Sequence, residues 1–360
     1  MVIENLTMQT KIIKIDRQNP DHKLIKETAD VLRDGGLVVI PTDTVYGVAA
    51  NMLNKKAMQR LNELKERPKN KPFSLHIDEK EQLEKYCRNV PVAAYKLIDK
   101  FWPGPLTLIL PSNQRNSTVG VRLPDDHIAL GIISAAAVPI VCPSANLSGN
   151  PAPVEFKQAI KDFNGLVDMA VDSGRTKFAQ ESTIVNVNAA QAAIVREGAV
   201  PREEIEKALK QKTVLFICTG NSCRSVMAQG LLQKKLQSLN RTDVEVISAG
   251  LMMLAGMGAT EPTVELLKNE GIDMSTHRSH RVTIEMLRRS DIILVMEKHH
   301  EERILQMVPE VKNRLFLLKE FAKIKDNELN IDDPIGRPFE FYQQTFNIIK
   351  EAIERVVQII

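Results

Sequence analysis

The chain has 360 residues, with 48 Lys plus Arg against 45 Asp plus Glu, a formal net charge of +3 and 43% hydrophobic residues. That length predicts about two domains, each able to bury its own core, and the near balance of charge gives no general sign of a nucleic-acid protein while leaving room for a local basic groove. The start, M-V-I-E-N-L-T-M, has an early acid and no long apolar core, and the apolar runs are strand-sized, so the expectation is a soluble, cytoplasmic chain without a membrane span.

Taken in order, the first half opens with a helix predicted around His22–Arg33, a Gly35-Gly36 break and an apolar strand Leu37–Ile40 that turns at P-T-D-T-V-Y-G, residues 41–47. Helical periodicity over Lys55–Lys65 then runs into K-E-R-P-K-N-K-P-F-S-L-H-I at 65–77, where each proline blocks helix continuation. Four cations crowd this short loop. A cationic loop is usually a solvated face, but prolines fixing the backbone between the charges argue for a positioned polyphosphate site. Helical patterns follow at Glu79–Cys87 and Pro91–Phe101, then a turn feeding a strand at 102–111 and a strand Thr118–Pro124 that bears Arg122. After a short helix, V-P-I-V-C-P-S-A-N-L-S-G at 138–149 reads as a buried strand opening into a polar loop, and Asp172–Gly174, Glu181-Ser182-Thr183 and the strand Ala192–Arg196 complete the half. No Walker loop and no G-x-G-x-x-G after a strand occurs, so any nucleotide must be held by dispersed side chains.

These segments, P-T-D-T-V-Y-G, K-E-R-P-K-N-K-P, the Arg122 strand, P-S-A-N-L-S-G, E-S-T-I-V and V-R-E-G, stand in the order and spacing of the YrdC-like threonylcarbamoyl-AMP synthases, a resemblance over roughly residues 10–209. It implies that L-threonine and bicarbonate form a carbamate whose oxygen attacks the α-phosphate of ATP and releases pyrophosphate. The product serves tRNA threonylcarbamoyladenosine synthesis, which brings in tRNA and its threonylcarbamoyl-transfer complex as partners. The resemblance implies that Thr44, His76, Arg122 and Ser182 hold threonine, with Arg122 on its carboxylate. Thr118, Ser144, Asn146 and Arg196 would contact ATP, while Arg67 and Lys71 neutralise its phosphates. Lys65 would support the phosphate site, against the plainer reading of a lysine favoured by the dipole at a helix end. Mg²⁺ is expected with ATP, carried mainly by phosphate oxygens and water. Longer family members carry a different C-terminal domain after a linker.

Here P-R-E-E-I-E-K-A-L-K reads instead as a closing helix, followed almost at once by a strand, Val214–Ile217. That strand runs into Cys218–Arg224, a C-x5-R loop with a Gly for the tight turn, and then into an apolar helix pattern. A strand entering a loop at a helix N-terminus makes an anion site, and a cysteine placed there is held as a thiolate. Arg224 supplies a planar fork for two phosphate oxygens while Cys218 Sγ attacks phosphorus and becomes phosphocysteine. The leaving group needs a proton, and Asp332-Asp333-Pro334 offers the one carboxylate followed by Pro near a Gly turn in this half. C-x5-R alone would also fit a buried cysteine beside a surface arginine.

C-T-G-N-S-C-R-S, S-A-G at 248–250, H-R-S at 277–279, D-I-I-L-V-M at 291–296 and D-D-P-I-G at 332–336 together resemble the low-molecular-weight protein tyrosine phosphatase family over nearly all of 213–360. The resemblance implies Cys218 as nucleophile, Arg224 as transition-state clamp and Asp333 as general acid and base, without a cofactor. It also implies that Asn221, Ser225, Ser248 and His277 hold the loop open, with Thr219, Gly220, Ser222 and Cys223 completing the phosphate cradle. Val226 and Gln229 stand where the family has Pro and Glu, so the helix start is expected to be slightly less rigid. Ser222 occupies a position that is Ile or Leu in tyrosine-specific members and Thr in the bacterial protein-arginine phosphatases. A small hydroxyl removes apolar packing from an aromatic substrate and suits a guanidinium, so phosphoarginine is expected ahead of phosphotyrosine as the phosphoprotein group.

Four cysteines, Cys87, Cys142, Cys218 and Cys223, form neither a secreted disulfide framework nor paired zinc spacing, so no structural metal is expected. Cys218 and Cys223 share a loop; a reversible disulfide shielding the nucleophile stands beside the reading of Cys223 as a packing residue. The expected architecture is α/β in two domains: a twisted α/β fold with a mixed sheet over 1–209, a joint at 210–212, and a Rossmann-like parallel sheet flanked by helices over 213–360. Two competing readings are a first half that only binds nucleotide or RNA, and a second half that reduces arsenate. The latter needs downstream cysteines for its redox relay, and none follows Cys223.

Overall fold

A computed structural model of the chain describes residues 9–66, 73–147, 149–188, 191–252 and 256–360. The chain divides into two compact units, Met1–Ala208 and Leu209–Ile360.

The first unit carries a ten-stranded sheet. In chain order its strands are β1 (Lys11–Lys14), β2 (Val38–Ile40), β3 (Gly47–Asn51), β4 (Leu75–His76), β5 (Leu106–Pro111), β6 (Thr118–Arg122), β7 (Ile140–Val141), β8 (Met169–Asp172), β9 (Thr183–Val187) and β10 (Ala192–Arg196). They lie in the order β1-β8-β2-β3-β7-β4-β6-β5-β9-β10. Parallel pairs such as β4·β6 and β5·β9 alternate with antiparallel ones such as β2·β3 and β5·β6, so the sheet is mixed. Successive strand residues point to opposite faces. Val38 and Ile40 accordingly join a cluster with Ile25, Ala29 and Leu32 of the helix His22–Arg33, while Val39 joins Ala57 and Leu61 of the helix Lys55–Leu64 on the other side. The helix starts are set locally. Asp21, Asn54 and Asp126 each accept backbone N–H groups at the N-caps of their helices.

Two predicted segments are shorter than their patterns. The run Glu79–Cys87 forms a 3-10 turn, Lys80–Gln82, and a single α-turn, Leu83–Tyr86, because only Leu83 and Cys87 anchor it in the core. β7 covers just Ile140–Val141, since Pro139 and Pro143 on either side lack the N–H that a longer ladder would need.

The second unit is built on four parallel strands, β11 (Lys212–Cys218), β12 (Val244–Gly250), β13 (Ile292–Val295) and β14 (Leu315–Leu317), in the order β12-β11-β13-β14. Only Gln211 separates the helix Arg202–Lys210 from β11. Helices cover both faces of the sheet, as a parallel sheet requires. Val214 and Phe216 pack with Met227 and Leu231 of the helix Arg224–Ser238 and with Phe346 and Ile353 of the helix Phe339–Ile359. Leu215 and Ile217 face the opposite layer with Leu287, Ile293 and Ile304. Among the described residues no helix is long and apolar enough to cross a membrane.

Phe216 is fully buried at the centre of this sheet, paired in register with Ser248 and Leu294. Phe216→Ala is expected to lower stability by about 3–5 kcal/mol through lost burial and a residual cavity. Urea denaturation followed by circular dichroism measures it, and a loss under about 1 kcal/mol would contradict this packing.

Candidate active sites

In the second unit β11 brings Cys218, only 2% exposed, to the carboxyl edge of the sheet, where ligands of open α/β sheets gather. The loop then closes onto the N-terminus of the helix Arg224–Ser238. The residue that turns it is Asn221, with a left-handed φ of 54°; Gly220, the glycine expected to do so, has no positive φ. Asn visits this region readily because its short amide can bond locally, and here every polar group of Asn221 is used. Its Nδ2 donates to Ser225 Oγ (3.0 Å) and Ser248 Oγ (2.8 Å), its Oδ1 accepts His280 N (2.9 Å), and its carbonyl accepts His277 Nε2 (2.8 Å). Its own N–H points at Cys218 Sγ at 3.3 Å. Ser225 Oγ lies 3.1 Å from the same sulfur, and since that oxygen already accepts from Asn221 its proton is free to face Sγ. Two donors therefore converge on the sulfur, an arrangement that stabilises negative charge there. Burial pulls the pKa of His277 down, in keeping with a neutral ring donating through Nε2.

The glycine that the loop does require is Gly250, at the end of S-A-G. A Cβ there would sit 2.9 Å from the Gly220 carbonyl carbon and 2.9 Å from the Thr219 oxygen, so β12 approaches the loop by backbone alone. Gln229 closes the network: Ser248 Oγ donates to its Oε1 at 2.6 Å. A glutamine at this position thus supplies the acceptor through its amide oxygen.

Arg224 is 1% exposed; both of its Nη atoms are engaged by the surrounding loops, while its buried Nε has no hydrogen-bond partner among the described residues. Nη1 pairs with Glu297 and donates to the Ile331 carbonyl (2.7 Å); Nη2 pairs with Asp333 and donates to Thr219 Oγ1 (3.2 Å). Asp333 Oδ1 also accepts Ile335 N (3.2 Å), which folds the D-D-P-I-G turn over the arginine. Glu297 and His300 were not visible as site residues in the sequence. The signal for Glu297 is its place just past β13 at the carboxyl edge of the sheet; His300, one of two adjacent histidines opening a helix, carries none. Burial, then His299 and Arg224, push His300 down to about 3, so the ring is uncharged. Its Nδ1 accepts Glu297 N (3.2 Å), leaving Nε2–H to bond Thr219 Oγ1 at 3.0 Å. Glu297, His299 and His300 place donor atoms within 4.8 Å of one another. The Glu297 carboxylate is nevertheless committed to Arg224, His300 Nδ1 to the Glu297 backbone and His300 Nε2 to Thr219 of the loop.

All four cysteines are free thiols, and Cys223 Sγ lies 3.4 Å from Thr260 Oγ1 and 3.6 Å from Ser222 Oγ.

In the first unit a cavity of about 740 Å³ opens along the sheet, lined by Thr44, His76, Arg122 and Ser182 and, further along, by Lys65, Thr118, Ser144, Asn146 and Arg196. Arg67 and Lys71 lie outside the described residues. The parallel pairing of β4 and β6 puts His76 beside Arg122 in register. Burial, reinforced by the neighbouring guanidinium, lowers His76 to about 3, so it is a neutral ring next to a fixed cation. Arg122 donates from Nε to the Gly104 carbonyl (3.2 Å) and from Nη1 to Thr44 Oγ1 (2.7 Å), and pairs through Nη2 with Asp43. Ser182 Oγ is 2.9 Å from Thr107 Oγ1 and within 3.2 Å of Arg196 Nη2, which also donates to the Ser182 carbonyl at 2.8 Å. Arg196 is paired to Glu181. Lys65 Nζ donates to the Ser144 carbonyl at 2.7 Å and bonds the Asn146 carbonyl, so it holds the P-S-A-N loop in place. Asp43, Thr107 and Glu181 were missed as site residues although Asp43 and Glu181 stand inside the motifs; their roles depend on partners far away in sequence.

Two outcomes are expected from this geometry. Gly250→Ala should reduce phosphatase kcat at least about tenfold, because displacing the loop by a fraction of an ångström misplaces reacting groups; a kcat unchanged within twofold would show that the loop tolerates the contact. His300 stays neutral in the folded chain down to about pH 3, whereas the unfolded ring takes up a proton near 6.5. Its folded pKa is depressed, so stability is lost as pH falls from about 6.5 towards 3, at up to roughly 1.4 kcal/mol per pH unit for each such histidine. Urea titrations at pH 7.0 and 4.5 should show a smaller acid loss for His300→Gln than for wild type, and equal losses would rule the term out.

A family model described as Telomere recombination, for Sua5, YciO and YrdC, matches residues 30–198, and one described as Low molecular weight phosphotyrosine protein phosphatase matches 213–360. A Pyrococcus abyssi protein named threonylcarbamoyl-AMP synthase is 37% identical over 230 residues, covering 62% of this chain and 67% of its own length. A Geobacillus stearothermophilus protein named protein-arginine-phosphatase is 35% identical over 145 residues, covering 40% of this chain and 93% of its own. Among solved structures, a doubly substituted P. abyssi Sua5 superposes with a TM-score of 0.52 at 29% identity, over 66% of this chain and 91% of its own. The chain therefore belongs to the Sua5/YciO/YrdC family through its first unit and to the low-molecular-weight phosphotyrosine protein phosphatase family through its second.

Proposed function

We propose that the chain is a bifunctional enzyme, a threonylcarbamoyl-AMP synthase followed by a cysteine-dependent protein phosphatase. The observation that carries the second activity is the convergence of Asn221 N and Ser225 Oγ on Cys218 Sγ beside the buried Arg224 fork. A phosphoryl group entering the cradle competes with Asp333 for Arg224 Nη2. Its arrival frees the Asp333 carboxyl for proton transfer and places phosphorus in line with Sγ. Released from Arg224, Asp333 takes up a proton from solvent; Sγ forms the S–P bond as the bond to the leaving group breaks, and Asp333 delivers that proton to the departing group. Asp333 then takes a proton from water, which attacks the phosphocysteine and releases phosphate.

Phosphoarginine is the preferred substrate. Ser222, partly exposed in the cradle, offers a hydroxyl rather than apolar packing, and the arginine phosphatase relative supports the same direction. With phosphoarginine the bond broken is P–N, and the proton from Asp333 goes to the guanidine nitrogen.

In the first unit the cavity takes L-threonine at its Arg122 end and ATP along the Ser144, Asn146 and Arg196 side. Arg122 holds the threonine carboxylate, while His76, being uncharged, serves as a hydrogen-bonding wall. The threonine amine forms a C–N bond to the bicarbonate carbon with loss of water, giving the carbamate; its oxygen bonds to the α-phosphorus as the bond to pyrophosphate breaks. Lys65 acts on ATP through the loop it fixes. The carboxylate lining the cavity among the described residues, Glu181, is taken by Arg196, so the lining does not fit a protein-held Mg²⁺ and no step is assigned to the ion. The reading places the chain in the cytoplasm, with the tRNA threonylcarbamoyl-transfer complex downstream.

Two assays test this. Pyrophosphate should appear only when threonine, bicarbonate and ATP are all present; binding of ATP without its release would make the first unit a nucleotide- or RNA-binding module. For the second unit, kcat/KM should favour a phosphoarginine protein over a phosphotyrosine peptide, and Cys218→Ser should abolish both. A preference for phosphotyrosine would remove the role given to Ser222.

A further inference from the structure

Asp43 is the most deeply buried carboxylate beside the first cavity, with no exposed surface, and it does not line that cavity. One of its oxygens pairs with Arg122 Nη2; the other, Oδ2, has no hydrogen-bond partner. Burial raises the Asp43 pKa, against the pull of Arg122, and lowers that of Arg122, so both ions are held at a cost. A buried pair of this kind is poor support for stability, since desolvation offsets its attraction. What it does supply is orientation. Arg122, 4% exposed, is gripped on three nitrogens: Nε by the Gly104 carbonyl, Nη1 by Thr44 Oγ1 and Nη2 by Asp43. Of these three holders only Asp43 is charged, and it grips the arginine from outside the cavity that Arg122 helps to line. Removing its charge would leave a buried cation free to turn away from the cavity.

We infer that Asp43 is a positioning residue for Arg122, aiming the guanidinium so that its remaining N–H groups meet the carboxylate of an α-amino acid, and thereby setting affinity for that substrate rather than for ATP. This rests on the synthase reading given above. Thr44 contributes to the same grip but also lines the cavity, so Asp43 separates positioning from contact.

The test is steady-state pyrophosphate release by the full chain, varying threonine and ATP separately. For Asp43→Asn the KM for threonine should rise at least about tenfold, while kcat stays within threefold and the KM for ATP within twofold. Asp43→Glu, which keeps the charge but shifts it by one methylene, should restore part of the threonine KM. An unchanged threonine KM in Asp43→Asn overturns the inference, as does a parallel change in both KM values, which is the mark of a merely structural residue. If Asp43→Asn fails to fold, Asp43→Glu decides: a selective rise in the threonine KM upholds the inference and a uniform change overturns it. If the wild-type chain itself releases no pyrophosphate with all three substrates present, the synthase reading falls and takes this inference with it, an outcome distinct from intact synthesis with an indifferent variant.

Discussion

A buried guanidinium has to be neutralised where it stands, and both units of this chain are organised by that demand. Arg122 in the first and Arg224 in the second are almost wholly withdrawn from solvent, and each is met by carboxylates from distant loops. Arginine suits the task because its fork is planar, always charged and able to engage several acceptors at once. In the second unit the two carboxylates come from loops after β13 and β14, so the sheet, the Cys218 loop and the D-D-P-I-G turn are tied at one point. The first unit uses Asp43 from the turn after β2 to fix Arg122 at the end of β6.

Neutral groups do the finer work around these cations. His76 and His300 are both kept uncharged by burial, each near an arginine, so neither adds to the positive charge already present. Asn221 does for the cysteine loop what several residues would otherwise share: it takes the left-handed conformation, binds two serines, a histidine and a backbone N–H, and aims its own amide at the sulfur. Each of its polar groups is satisfied, which is the condition under which a buried polar network rigidifies a site rather than weakening it. Gln229 in place of a carboxylate leaves the network intact, because Ser248 needs only an acceptor.

The two units apply one rule with different sheets. Four parallel strands bring Cys218, Gly250 and Glu297 to a common carboxyl edge, where helix N-termini and loops can cradle an anion. The mixed sheet of the first unit instead uses a parallel pair, β4 and β6, to set His76 and Arg122 side by side in the cavity lining. In both, the reactive region is assembled from chain segments that are far apart in sequence.

Much of this was legible from residue order alone. The C-x5-R loop after an apolar strand and the helices His22–Arg33 and Lys55–Leu64 follow from local propensity, turn chemistry and period, all of which act over a few residues. The α/β class, with a mixed sheet and then a parallel one, was expected and is found. Local rules erred where a single residue type was given a role that its neighbours decide: the turn expected of Gly220 is made by Asn221. The pairing of Glu297 with Arg224, the contact of His300 with Thr219 and the grip of Asp43 on Arg122 could not be read from residue order, since each acts across more than seventy residues. Sequence by itself determined where most helices, strands and the turn before the helix Arg224–Ser238 would fall, because those choices are made by nearby backbone sterics and burial. Only the tertiary structure decided which carboxylate meets which buried arginine, because that pairing exists only once strand order and register have brought the loops together.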